Sequence, residues 1–209
     1  MKEPRQQTPY MIGLRDRILT AAMTAFAKNG IKAVKMDDVA KMLGISKRTL
    51  YEVYENKEVL LYEGVKKLKQ LRQEQLAQLA SESSNVIDMI IRVYRIKVEE
   101  FHQVSPEFYA DIRKYQMVID FLQADSQQAH DRFVGFLQRG VDEGSFRSDV
   151  DMNLVSVMFT AVTEHIMQHQ LYYELSMEQI FHNFVFVTLR GICTEKGVAL
   201  LNRYAETKE

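Results

Sequence analysis

A single cysteine, Cys193, occurs in the 209 residues. It excludes an internal disulfide and any zinc centre built on several thiolates. Three prolines and nine glycines leave the chain with few interruptions, and the abundance of Met, Leu, Lys, Gln and Glu favours helices. No apolar run approaches the ~18 residues needed to cross a bilayer, and the opening MKEPRQQTPY lacks the apolar core of a signal peptide. A soluble, cytoplasmic chain is expected. There is no glycine-rich phosphate loop, nucleophile elbow or HExxH, so neither an enzyme nor a cofactor is expected. Binding to a membrane surface is not expected either, because no predicted helix joins a broad cationic face to a strong apolar one.

What is present is unevenly distributed. Residues 1–57 carry eleven Lys/Arg against six Asp/Glu, while the remainder carries sixteen against twenty-two. A basic head on an acidic body predicts that only the head meets a polyanion.

Hydrophobic spacing predicts an all-α chain of about nine helices. The first begins near Ile12 after a polar arm at residues 1–10 and ends at Gly30. Short helices follow at about Asp37–Leu43 and Ser46–Tyr54, then a longer one from Lys57 to about Ala80. A helix through Ile87, Tyr94 and Phe101 is apolar on two faces, which predicts a central place in its domain. Helices are further predicted at Glu107–Gln123 and Ser126–Asp142, from the Asp151 cap to Tyr173, and from the Ser176 cap onward, with Gln179 completing a capping box. The division expected is 1–56 for an arm and a three-helix head, and 57–209 for a larger body.

The stretch DVAKMLGISKRTLYEVYENKE, residues 38–58, has the offsets of a helix-turn-helix. Ala40 is small enough for a close helix crossing, and Gly44 sits where the turn needs unusual backbone angles. Ile45, Leu50 and Val53 supply the apolar underside, and Ser46 can cap the second helix by accepting from the Thr49 N–H. Lys47, Arg48, Thr49, Tyr51, Tyr54 and Lys57 are then expected to face outward. A Lys or Arg in the first turn of such a helix can pair with guanine O6 and N7. The hydroxyls of Thr49, Tyr51 and Tyr54 and the ammonium of Lys57 suit phosphate oxygens. Lys35, just before the first short helix, is placed to hold another phosphate, aided by that helix's dipole. The competing reading is a surface hairpin whose cations are merely solvated.

The segment RILTAAMTAFAKNGIKAVKMDDVAKMLGISKRTLYEVYENKEVL resembles the DNA-binding region of the TetR (tetracycline repressor) family over about residues 12–62. The resemblance implies an all-α homodimer that represses transcription from duplex DNA until a small molecule binds the larger domain. Two departures stand out. Many members have Thr where Met36 is placed by this reading, so Asp37 or Lys35 would have to replace its hydroxyl. Tyr54 replaces a frequent Phe, leaving room for one more hydrogen bond.

In the body, LVSVMFTAVTEHIM and IFHNFVFVTLRGI are apolar on nearly every face. Two copies packed as a four-helix bundle would cover them, giving a two-fold dimer through the last two predicted helices that reads an inverted repeat. A thicker monomer core is the alternative. Tyr94, Phe101, Tyr109, Tyr115, Met117, Phe121 and Phe133 are candidates to line an effector cavity, against the plainer expectation that aromatics at helical spacing are core. His165 and His169 lie one helical turn apart, yet Glu164 points elsewhere and no third ligand is evident, so no metal site is expected. Packing is the expected role of Cys193. A helical dimer that binds a small molecule or protein without DNA stands as the second reading of the whole chain.

Overall fold

The computed structural model describes residues 9–206, which form eleven α-helices and one short 3-10 turn. They are α1 (Pro9–Asn29), α2 (Met36–Leu43), α3 (Lys47–Val53), α4 (Lys57–Glu82), α5 (Val86–Gln103), α6 (Pro106–Ile112), α7 (Gln116–Gln123), α8 (Ser126–Asp142), α9 (Met152–Gln168), α10 (Met177–Ile192) and α11 (Glu195–Glu206), with the 3-10 turn at Leu171–Tyr173 between α9 and α10. Among the described residues no strand occurs, only an isolated bridge between Phe146 and Cys193. Of the expected polar arm, residues 1–8 lie outside the described residues, and Pro9 and Tyr10 already belong to α1.

Two compact units are present. The first takes the chain up to Leu71 together with Val104–Asp120, and the second takes Arg72–Gln103 and Phe121–Glu209. Compactness therefore does not divide at residue 57.

In the first unit α1 buries Leu14, Ile18, Ala22 and Phe26, the i, i+4 rows of one face. Val39 and Ala40 of α2 and Leu50 of α3 are buried with them. Gly44 ends α2 in the left-handed region at φ 64° and donates its N–H to Lys41. A side chain there would meet nothing within 4 Å, so the glycine serves the backbone angle alone; the strain for an L-residue is about 1–2 kcal/mol. The segment 104–120 is bound into this unit by its backbone and by one carboxylate. The Ser105 N–H donates to the Ala27 carbonyl (2.8 Å), and the Asp111 carboxylate accepts from the Lys32 N–H (2.7 Å) and the Lys114 ammonium (2.8 Å). Burial alone would push the Asp111 carboxyl up; these donors outweigh it and hold the group below its usual range.

The second unit is built around α5, which packs against α8, α10 and α11, as its two apolar faces require. Val86, Ile87 and Ile91 of α5 share a buried cluster with Leu137, Phe146, Val155, Val185, Leu189 and Leu201. The cap expected at Asp151 is present, accepting from the N–H groups of Asn153 (2.8 Å) and Leu154 (3.2 Å). So is the reciprocal box at Ser176 and Gln179.

Three boundaries differ from expectation. The helix expected at Glu107–Gln123 is broken into α6 and α7, because the N–H groups of Lys114 and Tyr115 close tighter turns onto Asp111 and Ile112. α9 stops at Gln168 rather than Tyr173, since Gln170 takes a left-handed conformation at φ 54°. The terminal helix divides at Cys193–Thr194, where Arg147 and Thr194 donate across to Ile192 and Ser145. Thr194 Oγ1 then receives the Gly197 N–H at 3.1 Å and starts α11. Gly197 is required by space, as a Cβ there would lie 2.1 Å from the Ser145 carbonyl oxygen.

Near the end of α5, His102 Nε2 lies 2.7 Å from a Glu178 oxygen of α10. The hydrogen bond and charge of Glu178 raise the imidazole above its ordinary 6.5. A raised folded value means that the link is fully formed below about 6.5 and is lost as pH rises through the higher folded value. Glu178→Gln is expected to lower the NMR titration midpoint of His102; an unchanged midpoint would show that the pair does not form in solution.

Candidate nucleic-acid interface

α3 is only seven residues long, and its position depends on three local devices. Ser46 has extended angles and its Oγ accepts from the Thr49 N–H at 3.0 Å, with Thr49 Oγ1 a further 2.8 Å partner. Leu50 anchors the inner face. At the far end the Tyr54 N–H returns to the Leu50 carbonyl (2.9 Å). With Leu50 inward, positions 47, 48, 51 and 52 share the outer face, as i, i+1, i+4, i+5 spacing dictates. Lys47, Arg48, Tyr51 and Glu52 are all exposed, Thr49 is half-buried and Ser46 is exposed.

Neither cation of that face stands alone. Lys47 forms an ion pair with Asp37 in the first turn of α2, and the Asp37 hydrogen bond and charge raise the lysine above its ordinary value. Arg48, 89% exposed, donates Nε–H to Glu52 Oε1 at 3.1 Å. The Arg48–Glu52 pair has the legible i, i+4 spacing. Lys47–Asp37 has no such signal, because it depends on how α2 and α3 cross.

Lys35 is exposed and occupies the N-cap position of α2. The cap position is therefore Lys35, and Met36, taken above as the site of a missing hydroxyl, is the first helical residue and is buried. The Lys35 N–H donates to the Asp38 carboxylate at 2.9 Å.

Tyr54 differs most from the sequence reading. It is 1% exposed, Arg15 lies over its ring at 4.6 Å, and its hydroxyl donates to the Arg15 carbonyl at 3.4 Å. Burial pushes that hydroxyl up to about 12. The extra hydrogen bond allowed by Tyr in place of Phe is internal, and Tyr54 is a core residue of the head. Lys57 is half-buried; its ammonium donates to the carbonyls of Ile31 (2.6 Å) and Lys32 (3.4 Å), and burial lowers its pKa against the pull of Asp111 and Asp38. It thereby fastens the turn that leads to Lys35.

The seven aromatic and Met candidates for an effector cavity fall into both units. Tyr109, Tyr115 and Met117 belong to the first, and Tyr94, Phe101, Phe121 and Phe133 to the second. Tyr94 stacks on Phe181 at 5.7 Å and shares a 2.7 Å hydrogen bond with His182 Nδ1. Phe101 meets the same Phe181 edge-on, and Phe133 meets Phe159. His165 and His169 have ring centres 4.3 Å apart and both are exposed; among the described residues no three His, Cys, Asp or Glu side chains gather as metal ligands. Cys193 is buried and its thiol is pushed up to about 11, away from the thiolate that reactivity needs.

The comparisons with known proteins agree with this arrangement. Residues 18–63 match the family model for bacterial regulatory proteins of the tetR family, and residues 86–181 match that for the tetracyclin repressor-like C-terminal domain. The chain is 26% identical over 189 residues to the HTH-type transcriptional repressor KstR2 of Mycolicibacterium smegmatis, covering 88% of this chain and 92% of that protein. Its fold is similar to the ketosteroid transcriptional regulator KstR2 of Mycobacterium tuberculosis, with TM-score 0.59, 21% identity and coverage of 87% and 96% of the two chains. It is also similar to a transcriptional regulator from Saccharomonospora viridis in complex with choline, with TM-score 0.62, 17% identity and coverage of 78% and 96%. With an N-terminal and a C-terminal family model matched in order over more than half its length, and a capped helix-turn-helix inside the first, the chain belongs to the TetR family of bacterial regulatory proteins.

Proposed function

We propose that the protein is a dimeric transcriptional repressor whose two α3 helices enter successive major grooves of an inverted-repeat operator, and that a small molecule releases it. The observation that supports this best is the outer face of α3: a Ser46-capped first turn offering Lys47, Arg48 and Thr49, with Tyr51 one turn on. Lys47 and Arg48 read base edges; Thr49, Tyr51 and Lys35 hold phosphates; Lys57 acts chiefly on the turn before α2. In this reading residues 1–56 are the DNA-binding part and 57–209 the effector and dimer part.

Selection of bound duplexes from a random pool tests the proposal. Two half-sites in inverted order, about one helical turn apart or a multiple of it, are the expected result, with affinity that falls steeply with salt as phosphate contacts release counterions. A protein that enriches no sequence would reject it.

The dimer rests on α9 and α10. Leu154, Val157 and Met158 of α9 are exposed, as is Val187 of α10 at 72%. An apolar face repeated on an identical copy is self-complementary about a two-fold axis. These are the pair of apolar helices singled out in the sequence; the terminal α11 is not one of them. Light scattering is expected to show a dimer at micromolar concentration and a monomer for Leu154→Glu combined with Val187→Glu. A double variant that remains dimeric would place the interface elsewhere.

For the effector, aromatic residues of the second unit, Tyr94, Phe101 and Phe133, supply the apolar contacts, and the Tyr94–His182 pair a polar one. One protein of similar fold is described as a regulator in complex with choline, which supports a small-molecule effector. To act as a switch, the effector must bind the released geometry more tightly than the bound one.

A further inference from the structure

We propose that Glu52 is a specificity-determining positioning residue, which aims Arg48 at a base pair and lowers the attraction of α3 for arbitrary DNA. The proposal rests on the reading of α3 as the helix that enters the groove.

A carboxylate on the groove-facing side of a recognition helix faces a row of phosphates, so unless it does something there it costs affinity. Glu52 is exposed on the same face as Lys47, Arg48 and Tyr51. The pair it makes with Arg48 lies on the surface, where such pairs add little to stability; folding does not account for it. Its geometry has a consequence for recognition. Arg48 gives its Nε–H to Glu52, which leaves an end-on approach through the two terminal nitrogens as the bidentate mode for guanine O6 and N7. A planar fork held at one edge loses less freedom on pairing than a free side chain does. Lys47 is treated likewise by Asp37. The two cations and two carboxylates leave this face without net charge, so non-specific attraction must come from elsewhere. A wrong base then cannot repay the loss of the Arg48–Glu52 geometry by Coulomb attraction alone, and discrimination is the result.

The test uses the full-length protein. Wild type first selects its motif from a random pool; Glu52→Gln, Arg48→Ala and the combination are then measured on that motif and on a scrambled duplex at one salt concentration. Glu52→Gln is expected to bind scrambled DNA several-fold more tightly, to lose about tenfold in the ratio of specific to scrambled affinity, and on reselection to relax one base pair in each half-site. Its melting temperature should match wild type. In the Arg48→Ala background Glu52→Gln should leave the ratio unchanged. An unaltered ratio and motif for Glu52→Gln alone would overturn the proposal, and so would an equal loss with Arg48 absent, which would make Glu52 itself the base acceptor. If wild type selects no motif, the groove reading of α3 falls first; a wild-type motif that Glu52→Gln reads equally well removes only this inference.

Discussion

Lys47→Ala combined with Arg48→Ala is expected to reduce operator binding to the level of arbitrary duplex while leaving the fold intact. Each base-reading contact discriminates by roughly tenfold to a hundredfold, and a two-fold protein loses the pair in both half-sites. Specific binding typically exceeds non-specific binding by about 10³–10⁷, so the two losses together exhaust most of that margin. The fold should survive because both cations project from the exposed face and the cap of α3 depends on Ser46 and Thr49. The measurement is a competition shift with the selected operator against scrambled duplex, with a thermal melt as control. A double variant that retains the wild-type preference would show that other side chains read the bases, and α3 would lose its assigned part.

At Tyr54 two substitutions are expected to have opposite outcomes. Tyr54→Ala empties a fully buried aromatic position of the head, and such losses cost about 3–5 kcal/mol. Against a typical total of about 5–15 kcal/mol, the change should appear as a large drop in the urea midpoint. Tyr54→Phe keeps the ring, the packing and the Arg15 guanidinium over its face. It forfeits one long hydrogen bond, 3.4 Å to a carbonyl, worth at most about 0.5–1.5 kcal/mol. Operator affinity should not change. If Tyr54→Phe instead weakens DNA binding at unchanged stability, the hydroxyl reaches a phosphate in the complex and the burial argument fails.

The case of Tyr54 shows where a linear reading stops. Helical spacing puts residues 47, 51 and 54 close to one another around α3, and it cannot say that the last of them, where the helix ends and the backbone extends at φ −131°, turns inward beneath Arg15. Devices made by neighbours in sequence were legible: the Ser46 cap, the Asp151 cap, the Ser176–Gln179 box and the left-handed Gly44. Devices made by chemistry that usually signals something else were not. Gln170 adopts the left-handed angle that glycine or asparagine ordinarily marks. Asp111 reads as one more acid in a helix, and only the folded chain brings it to the Lys32 N–H. The start of α2 lies one residue before the expected Asp37, at Met36, an apolar first-turn residue in the core. The outward cations were evident from composition and spacing, and their acidic partner Asp37 only from the crossing of two helices.

The head is not a contiguous piece of the chain. Two of the hydrogen bonds that secure its first turn, at Ala27 and Lys32, come from Ser105 and Asp111, some seventy to eighty positions downstream. A fragment cut after α3 or after α4 would leave the Lys32 amide and the Ala27 carbonyl without those partners and would strip the cover from Gly30. Chimeras that transplant operator preference between relatives by exchanging the first sixty residues would inherit a mismatched clasp, unless the stretch from Val104 to Asp120 travels with them.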